Sequence, residues 1–449
     1  MTGIQQPSPQ AAVRREFVRA LGDLALGPLR VLDFLLQRSA ALDELRGLLR
    51  SPESIDEPGP VGTLPARSLR LFLSCAEASG QIHALNFLRA VERECAAQGA
   101  PRPKWFGLGG EPLREAGVEL VEELVTKAVM GFDGVTRALP FYLSVLRRCA
   151  ERIRDERPDV VVLVDSPALH VPLARIAKRY GARVVHFVTP QHWAWAPWRT
   201  PSYAPAVDRA LSILPFEKRW FERRGVDVVH VGHPLLDQLE GVPRAVADAP
   251  ARLVLLPGSR SRVIDLNLPW MLGAAAALRE RRPELEVVIA HGDERRRHEL
   301  EEHVAGARAS AWARVEIGAF HDTLAHSRAA LSVSGTVLLD LLHVRLPTVC
   351  IYRVRSGRDV ALQRWMFATP YFASVNLLAG RVVYPEYCFH GRGPLEQIVD
   401  ELEQRLFDAD VRRDVALGME NAAVRLGPPG ACARAARVAL ELARVSARD

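Results

Sequence analysis

Five aliphatic residues, Val160 to Val164, run straight into Asp165, and Ser166 and Pro167 then turn the chain. A carboxylate behind an all-aliphatic strand is costly to bury alone, so it must be paired or must open into a cleft. It reads either as a general base for an attacking hydroxyl or as the cap of the helix that follows. In the second half, Leu255-Leu256-Pro257-Gly258-Ser259-Arg260 joins another apolar run to a polar turn. Arg260 would bring a planar fork of donors suited to a diphosphate leaving group, with a surface ion pair as the alternative. Ser334-Gly335-Thr336 repeats that design, offering amides and hydroxyls for phosphate at a helix start. Asp340 follows Thr336 by four residues on one helix face, where it can accept from ribose hydroxyls or serve as ordinary helix-start charge.

Other strand ends carry weaker signals. Glu77-Ala78-Ser79-Gly80-Gln81 combines small residues with one carboxylate, so that helix-start amides can approach a ligand, although a plain tight turn explains it equally well. In the run Thr189 to Trp198, Trp193 and Trp195 would stack on a sugar, line an apolar channel or fill a core. His192 would bind phosphate, donate a proton or simply be hydrogen-bonded. The six cysteines are scattered without metal-ligand or disulfide spacing, and Asp408-Ala409-Asp410 lies in a polar helical stretch, so no metal site and no cofactor are expected. The net charge of +6 comes from arginine and favours anionic ligands, but no basic run interleaved with aromatics speaks for nucleic acid. Taken in series, these elements favour a nucleotide-sugar site.

The elements that must position these residues fall into three parts. At 449 residues the chain suits two domains of about 150 to 200 residues each. Residues 1–66 form an extension: helical spacing over Ala11 to Leu49, broken near Gly27-Pro28, then a linker from Ser51 to Ala66. It reads as a helical hairpin packed on the main body, or as a membrane-surface or partner-binding element, without the roughly 20 apolar residues a span needs. Residues 67–232 should hold strands at Leu69–Leu73, Val160–Val164, Arg183–Val188, Ala210–Ile213 and Val228–Val231. Residues 233–449 should hold strands at Leu253–Leu256, Leu285–Ala290, Ala329–Val333 and Thr348–Tyr352, with the last helices returning to the first domain. Continuous apolar strands joined by helices imply an α/β fold of doubly wound parallel sheets. Two such sheets meeting near Gly232-His233-Pro234 would leave a cleft for a ligand.

The ordered set of AEASG (76–80), GLGGEPLREAG (107–117), AVMGF (128–132), VDSP (164–167), WAW (193–195), LPFEKRWF (214–221), VGHPLLD (231–237), LLPGSR (255–260), SGTVLLD (334–340), Tyr352-Arg353 and NLLAGR (376–381) resembles the lipid A disaccharide synthases. These are inverting glycosyltransferases of the GT-B type, with two Rossmann-like domains facing a cleft. The resemblance runs from about Leu69 to the C-terminus and leaves the extension outside. It implies transfer of 2,3-diacylglucosamine from UDP to 2,3-diacylglucosamine 1-phosphate through a β-1,6 bond, without a metal. It implies a cytoplasmic protein attached peripherally to the inner membrane, with self-association into a homodimer in keeping.

By the same resemblance Asp165 is the essential aspartate and Arg260 the essential arginine. Gly258, Ser259, Arg260, Ser334, Gly335, Thr336, Asp340, Tyr352, Arg353, Asn376 and Arg381 would hold the UDP-sugar. Glu77, Ser79, Gly80, Gln81, His192, Trp193 and Trp195 would hold the acceptor. Val129, Met130, Phe132 and Phe141 would meet acyl chains or bilayer, although an amphipathic helix explains them as well. The sequence also departs from the pattern: Gln81, Ala168 and His170 stand where the family has Asp, Asp and Asn, Ala196 replaces an Arg, and Asp340 shortens a Glu. The donor half is kept better than the acceptor half, which leaves an active synthase or close relative with another acylated acceptor, a binding-only descendant, and another UDP-sugar enzyme of the same architecture as the readings.

Overall fold

The computed structural model describes residues 6–124, 135–246 and 249–446. The chain divides into two compact units. The first holds Met1–Arg38, Glu53–Gln238 and Pro428–Asp449; the second holds Ser39–Pro52 and Leu239–Gly427.

In the first unit, β1 (Arg70–Cys75), β2 (Lys104–Gly109), β3 (Glu119–Glu123), β4 (Val160–Val164), β5 (Arg183–Phe187), β6 (Arg209–Ser212) and β7 (Val228–His230) form one sheet in the order β3-β2-β1-β4-β5-β6-β7. Every pairing in it is parallel. The all-aliphatic β4 lies in the middle, buried at every position, because helices cover both faces and leave no side of the strand for water. α3 (Ala78–Ala97) follows β1, and α4 (Val135–Glu156) and α5 (Pro167–Arg179) flank β4. Gly107 in β2 takes φ +153°, and a Cβ there would meet the Leu73 carbonyl oxygen at 1.8 Å, so only glycine lets β2 close against β1.

The second unit holds β8 (Arg252–Leu256), β9 (Glu286–His291), β10 (Ala313–Ile317), β11 (Ala329–Val333), β12 (Thr348–Arg353) and β13 (Glu386–Phe389), in the order β10-β9-β8-β11-β12-β13, again parallel. Its core joins Leu253, Leu272, Ile289, Leu331 and Leu402. The nine expected strands are present within one or two residues at each end. Those not expected are β2, β3, β10 and β13. Three of them are sheet edges, whose sequences ELVEE, ARVEI and EYCF mix charge with apolar residues because one flank faces solvent.

The extension corrects one expectation. α1 (Pro9–Ala25) and α2 (Gly27–Arg50) are separated by Leu26 alone, which keeps helical φ and ψ, so the chain cannot double back into a hairpin. The helical ladder continues through the junction in Leu26 N–H to Gly22 O and Arg30 N–H to Leu26 O, and Arg30 reaches back two turns to Asp23 at 2.7 Å. Pro28 supplies the irregularity, since it has no N–H to give the preceding turn. α1 is pinned to the first unit by Glu16, a buried carboxylate that accepts from Arg175 at 2.6 Å and Arg179 at 2.5 Å. The stretch after α2 is tied down as well: Asp56 accepts from the His230 N–H at 2.8 Å and from Lys218 at 2.7 Å.

The last helix of the chain belongs to the first unit. Asp237, the end of the VGHPLLD run, accepts from the N–H groups of Gly430, Ala431 and Cys432 at 2.6 to 3.1 Å. A carboxylate at that position satisfies the open amides of a helix start. The helix Ala431–Ser446 then feeds Cys432, Ala436 and Leu440 into the core that holds Phe87, Val162 and Phe187.

Candidate active site

Asp165 leaves the carboxyl end of β4, between β1 and β5, and enters a left-handed backbone conformation at φ +57°, followed by Ser166 at +48°. Two such residues in succession are unfavourable for L-amino acids and persist only where surroundings hold them. The hold is visible. Asp165 N–H donates to Phe187 O at 2.9 Å, and the Asp165 carbonyl oxygen lies 2.5 Å from His170 Nδ1 and 3.0 Å from His186 Nε2. Both imidazoles are buried, and burial depresses their pKa to about 3 for His170 and about 4 for His186. Each is therefore neutral and carries a single N–H.

A carbonyl oxygen only accepts, so the tautomers follow: His170 is protonated at Nδ1 and His186 at Nε2. Their other nitrogens then accept, His170 Nε2 from the Ser74 hydroxyl at 2.8 Å and His186 Nδ1 from the Tyr203 hydroxyl at 3.1 Å. The Asp165 main chain is thus clamped by a buried network with every proton assigned.

The carboxyl group itself has a raised proton affinity. Burial is the main cause, the Ser166 N–H works against it, and the negative charge of Glu77 adds to it. Glu77 stands at the start of α3, its carbonyl oxygen accepting from the Gln81 N–H, and Ser79 lies in the first turn of that helix. Gly80 follows, and a Cβ there would stand 3.9 Å from Asp165 Cβ, an ordinary contact distance, so this part of α3 lies beside the Asp165 corner. Gln81 Oε1, where the family has a carboxylate, is buried without a hydrogen-bond partner. Ala168 is exposed on α5.

The tryptophan segment needs correction. Trp193 is buried and donates its indole N–H to Glu217 Oε1 at 2.9 Å, while Glu217 Oε2 accepts from the N–H groups of Ile213 and Leu214 at 3.0 Å each. Its ring packs edge-on against Phe216. Trp193 is therefore part of the core rather than a sugar platform. His192 is buried too, hydrogen-bonded to Thr200 at 3.2 Å and held neutral, with burial lowering its pKa to about 3. Trp195 is exposed, with the Arg199 guanidinium over its ring at 4.9 Å. Ala196 is buried at φ +71°. Phe141 is half-buried beside Tyr142, and Val129, Met130 and Phe132 lie outside the described residues.

In the second unit, β8 and β11 are neighbours with Leu256 beside Ser332, so the turns carrying Gly258-Ser259-Arg260 and Ser334-Gly335-Thr336 emerge side by side at one carboxyl edge. Gly258 takes φ +109°, and a Cβ there would stand 2.6 Å from Val263 Cγ1. Arg260 is exposed and caps the helix Ser261–Arg281, its carbonyl accepting from Val263 and Ile264. Gly335 and Thr336 are exposed before the helix Val337–Val344, and the Ser334 hydroxyl donates to Phe372 O at 3.2 Å. Asp340 pairs with His321 Nε2 at 2.8 Å. Tyr352 is exposed at the end of β12 beside Phe372.

Three donor-side expectations fare differently. Arg353 donates to the carbonyl oxygens of Leu266 and Gly391 and lies over Trp270, which ties a helix to a loop. Asn376 is fully buried: its Oδ1 accepts from Val383 and Tyr384 N–H, and its Nδ2 donates to Tyr384 O and Glu386. Arg381 lines a 430 Å³ depression with Pro385, Arg405 and Asp410 where β13 begins, not at the carboxyl ends of the strands. Sequence reasoning also missed Ser74, His186, Tyr203 and Glu217. A histidine inside the aliphatic RVVHF strand and a serine inside RLFLSC were the available signals.

Residues 71–411 match the family described as lipid-A-disaccharide synthetase. The chain belongs to that family. The lipid-A-disaccharide synthase of Syntrophus aciditrophicus is 32% identical over 385 residues, covering 84% of this chain and 98% of its own length. That of Myxococcus xanthus is 34% identical over 382 residues, covering 83% and 97%. Among solved structures, a Listeria monocytogenes protein described as a UDP-N-acetylglucosamine 2-epimerase aligns with TM-score 0.54 at 13% identity, over 78% of this chain and 91% of that one. The UDP-GlcNAc 2-epimerase of Neisseria meningitidis aligns with TM-score 0.50 at 12% identity, over 84% and 98%. At such identities the likeness is one of fold, here α/β of the GT-B type. The protein is a glycosyltransferase of lipid A biosynthesis, and α1 and α2 precede the matched stretch.

Proposed function

We propose that this protein moves 2,3-diacylglucosamine from UDP to the 6-hydroxyl of 2,3-diacylglucosamine 1-phosphate, as a peripheral protein at the cytoplasmic face of the inner membrane. The acceptor O6 attacks the anomeric carbon of the donor as the bond from that carbon to the diphosphate oxygen breaks, inverting the centre. Asp165 takes the O6 proton, and UDP departs with the bonding electron pair. Arg260, with the exposed amides at Gly335 and Thr336, meets the charge that grows on the diphosphate, which makes a metal ion unnecessary. Glu77, Ser79, Gly80, Gln81 and Trp195 remain the acceptor-side candidates; Gly258, Ser259, Ser334, Asp340 and Tyr352 remain on the donor side.

The observation that carries this reading is the Asp165 corner: a carboxyl group of raised proton affinity on a strained backbone held by two neutral histidines. A binding-only relative has no use for an aimed base, and strain of that kind clusters where chemistry needs it. The test is UDP release from UDP-diacylglucosamine in the presence of the acceptor. Asp165→Asn should abolish release while UDP affinity stays within a fewfold. Equal loss of both would make Asp165 a structural residue, and no release by the unaltered protein, with UDP bound, would favour the binding-only descendant.

A further inference from the structure

α1 and α2 precede the stretch that matches the family, and they carry an apolar face that, among the described residues, nothing in the first unit covers. Val18, Leu21, Leu24, Leu29, Leu32 and Leu36 are each between 50 and 79% exposed. Val18, Leu21, Leu29, Leu32 and Leu36 recur at three-, four- and eight-residue intervals along a rod that is nearly continuous through Leu26, so they share one side. The opposite side is the one the fold uses: Ala12, Val13 and Glu16 are buried, and Phe34 packs on Trp198 at a ring separation of 5.2 Å. Scattered exposed leucines need no explanation, but a row of them over five turns does.

The border of this face is cationic at its start. Arg14 stands one turn before Val18, and Arg15 and Arg19, four residues apart, run along one flank; all three are exposed. Of the nearby carboxylates, Asp23 is paired with Arg30 and Asp33 accepts from Gln37. A leucine face rimmed by arginine matches acyl chains below anionic headgroups. Among the described residues no helix is long and apolar enough to cross a membrane, so the fit is to the surface.

We propose that the exposed face of α1 and α2 lies in the headgroup region of an anionic bilayer and delivers the enzyme to its lipid substrates. The proposal rests on the reading above that both substrates carry acyl chains. The experiment is cosedimentation of the full chain with phosphatidylcholine vesicles, with and without phosphatidylglycerol. The full chain should pellet with the anionic vesicles and less so as salt is raised. A variant with Leu21, Leu29, Leu32 and Leu36 each changed to Ser should lose about a hundredfold or more in partitioning. The same variant should keep its UDP release on substrates in detergent micelles, because these side chains support no core.

Vesicle binding equal to that of the unaltered chain would overturn the proposal. So would light scattering that shows concentration-dependent self-association abolished by the four substitutions, since a second copy would then cover the face. Vesicle binding without turnover in micelles would instead sink the assigned reaction and leave the docking surface standing.

Discussion

His170→Phe tests whether the clamp on Asp165 aims the base. The change removes the 2.5 Å hydrogen bond to the Asp165 carbonyl and leaves the Ser74 hydroxyl, now 2.8 Å from His170 Nε2, buried without an acceptor. Each loss costs about 1–3 kcal/mol in a buried site, or about 3 kcal/mol together. For a unit of this size that lowers Tm by roughly 6–12 °C. The kinetic effect has a separate origin. Asp165 and Ser166 sit in left-handed conformations costing roughly 1–2 kcal/mol each, and with one of two donors gone the backbone can relax. A carboxylate displaced by about 1 Å loses on the order of 100-fold in rate.

The assay is UDP release under saturating substrates, with UDP affinity and Tm measured on the same samples. His170→Phe should lose kcat by about 100-fold with UDP affinity unchanged within a fewfold. His170→Asn, whose amide can still donate to the carbonyl, should recover most of that loss. Ile176→Ala, on the same helix and fully buried, serves as the control: it should cost about 2–5 kcal/mol of stability and little kcat. If His170→Phe lowers Tm as much but keeps kcat within about threefold, the clamp is only structural and the argument about aim is wrong.

Gly258→Ala should cost about 1–3 kcal/mol through its φ of +109° and the close approach to Val263, and UDP affinity measured by calorimetry should fall more than Tm. Glu217→Ala strips the acceptor from Trp193 and from two backbone N–H groups, so Tm should drop by the equivalent of about 3–5 kcal/mol and Trp193 fluorescence should shift toward that of a wet indole. Acid should unfold the protein steeply. His83, His170, His186, His192 and His233 have folded pKa values near 3 to 4, below the unfolded 6.5. The unfolded chain therefore binds protons that the fold refuses, and stability falls as pH drops from about 6.5 toward 4, by about 1.4 kcal/mol per unit for each such residue. Denaturant titrations between these limits check it; a midpoint that does not move would show these histidines charged in the fold.

Much of the fold was legible because its central strands announce themselves. Val160–Val164 lies between neighbours and under helices, so its positions are all apolar, and an unbroken apolar run is visible in one dimension; Ala329–Val333 is interrupted only by the buried Ser332. Asp165 and Arg260 were legible for the complementary reason: a charge at the end of such a run has few places to go. The edge strands Glu119–Glu123, Ala313–Ile317 and Glu386–Phe389 were not, since half of their surroundings are solvent and their composition resembles that of a helix or loop.

The candidate site divides along the same line. By itself the sequence determined which strand ends carry polar groups, that Gly258 sits at a turn, and that His170 and Gln81 depart from the family pattern. Whether a polar side chain points at a ligand or is spent on the protein was decided only by tertiary structure. Trp193 finds Glu217, Asn376 finds the backbone at Val383 and Tyr384, and His170 finds both the main chain of Asp165 and Ser74. Burial makes an unpaired donor or acceptor costly, and the partner that satisfies it is chosen by proximity in space, which residue order does not record.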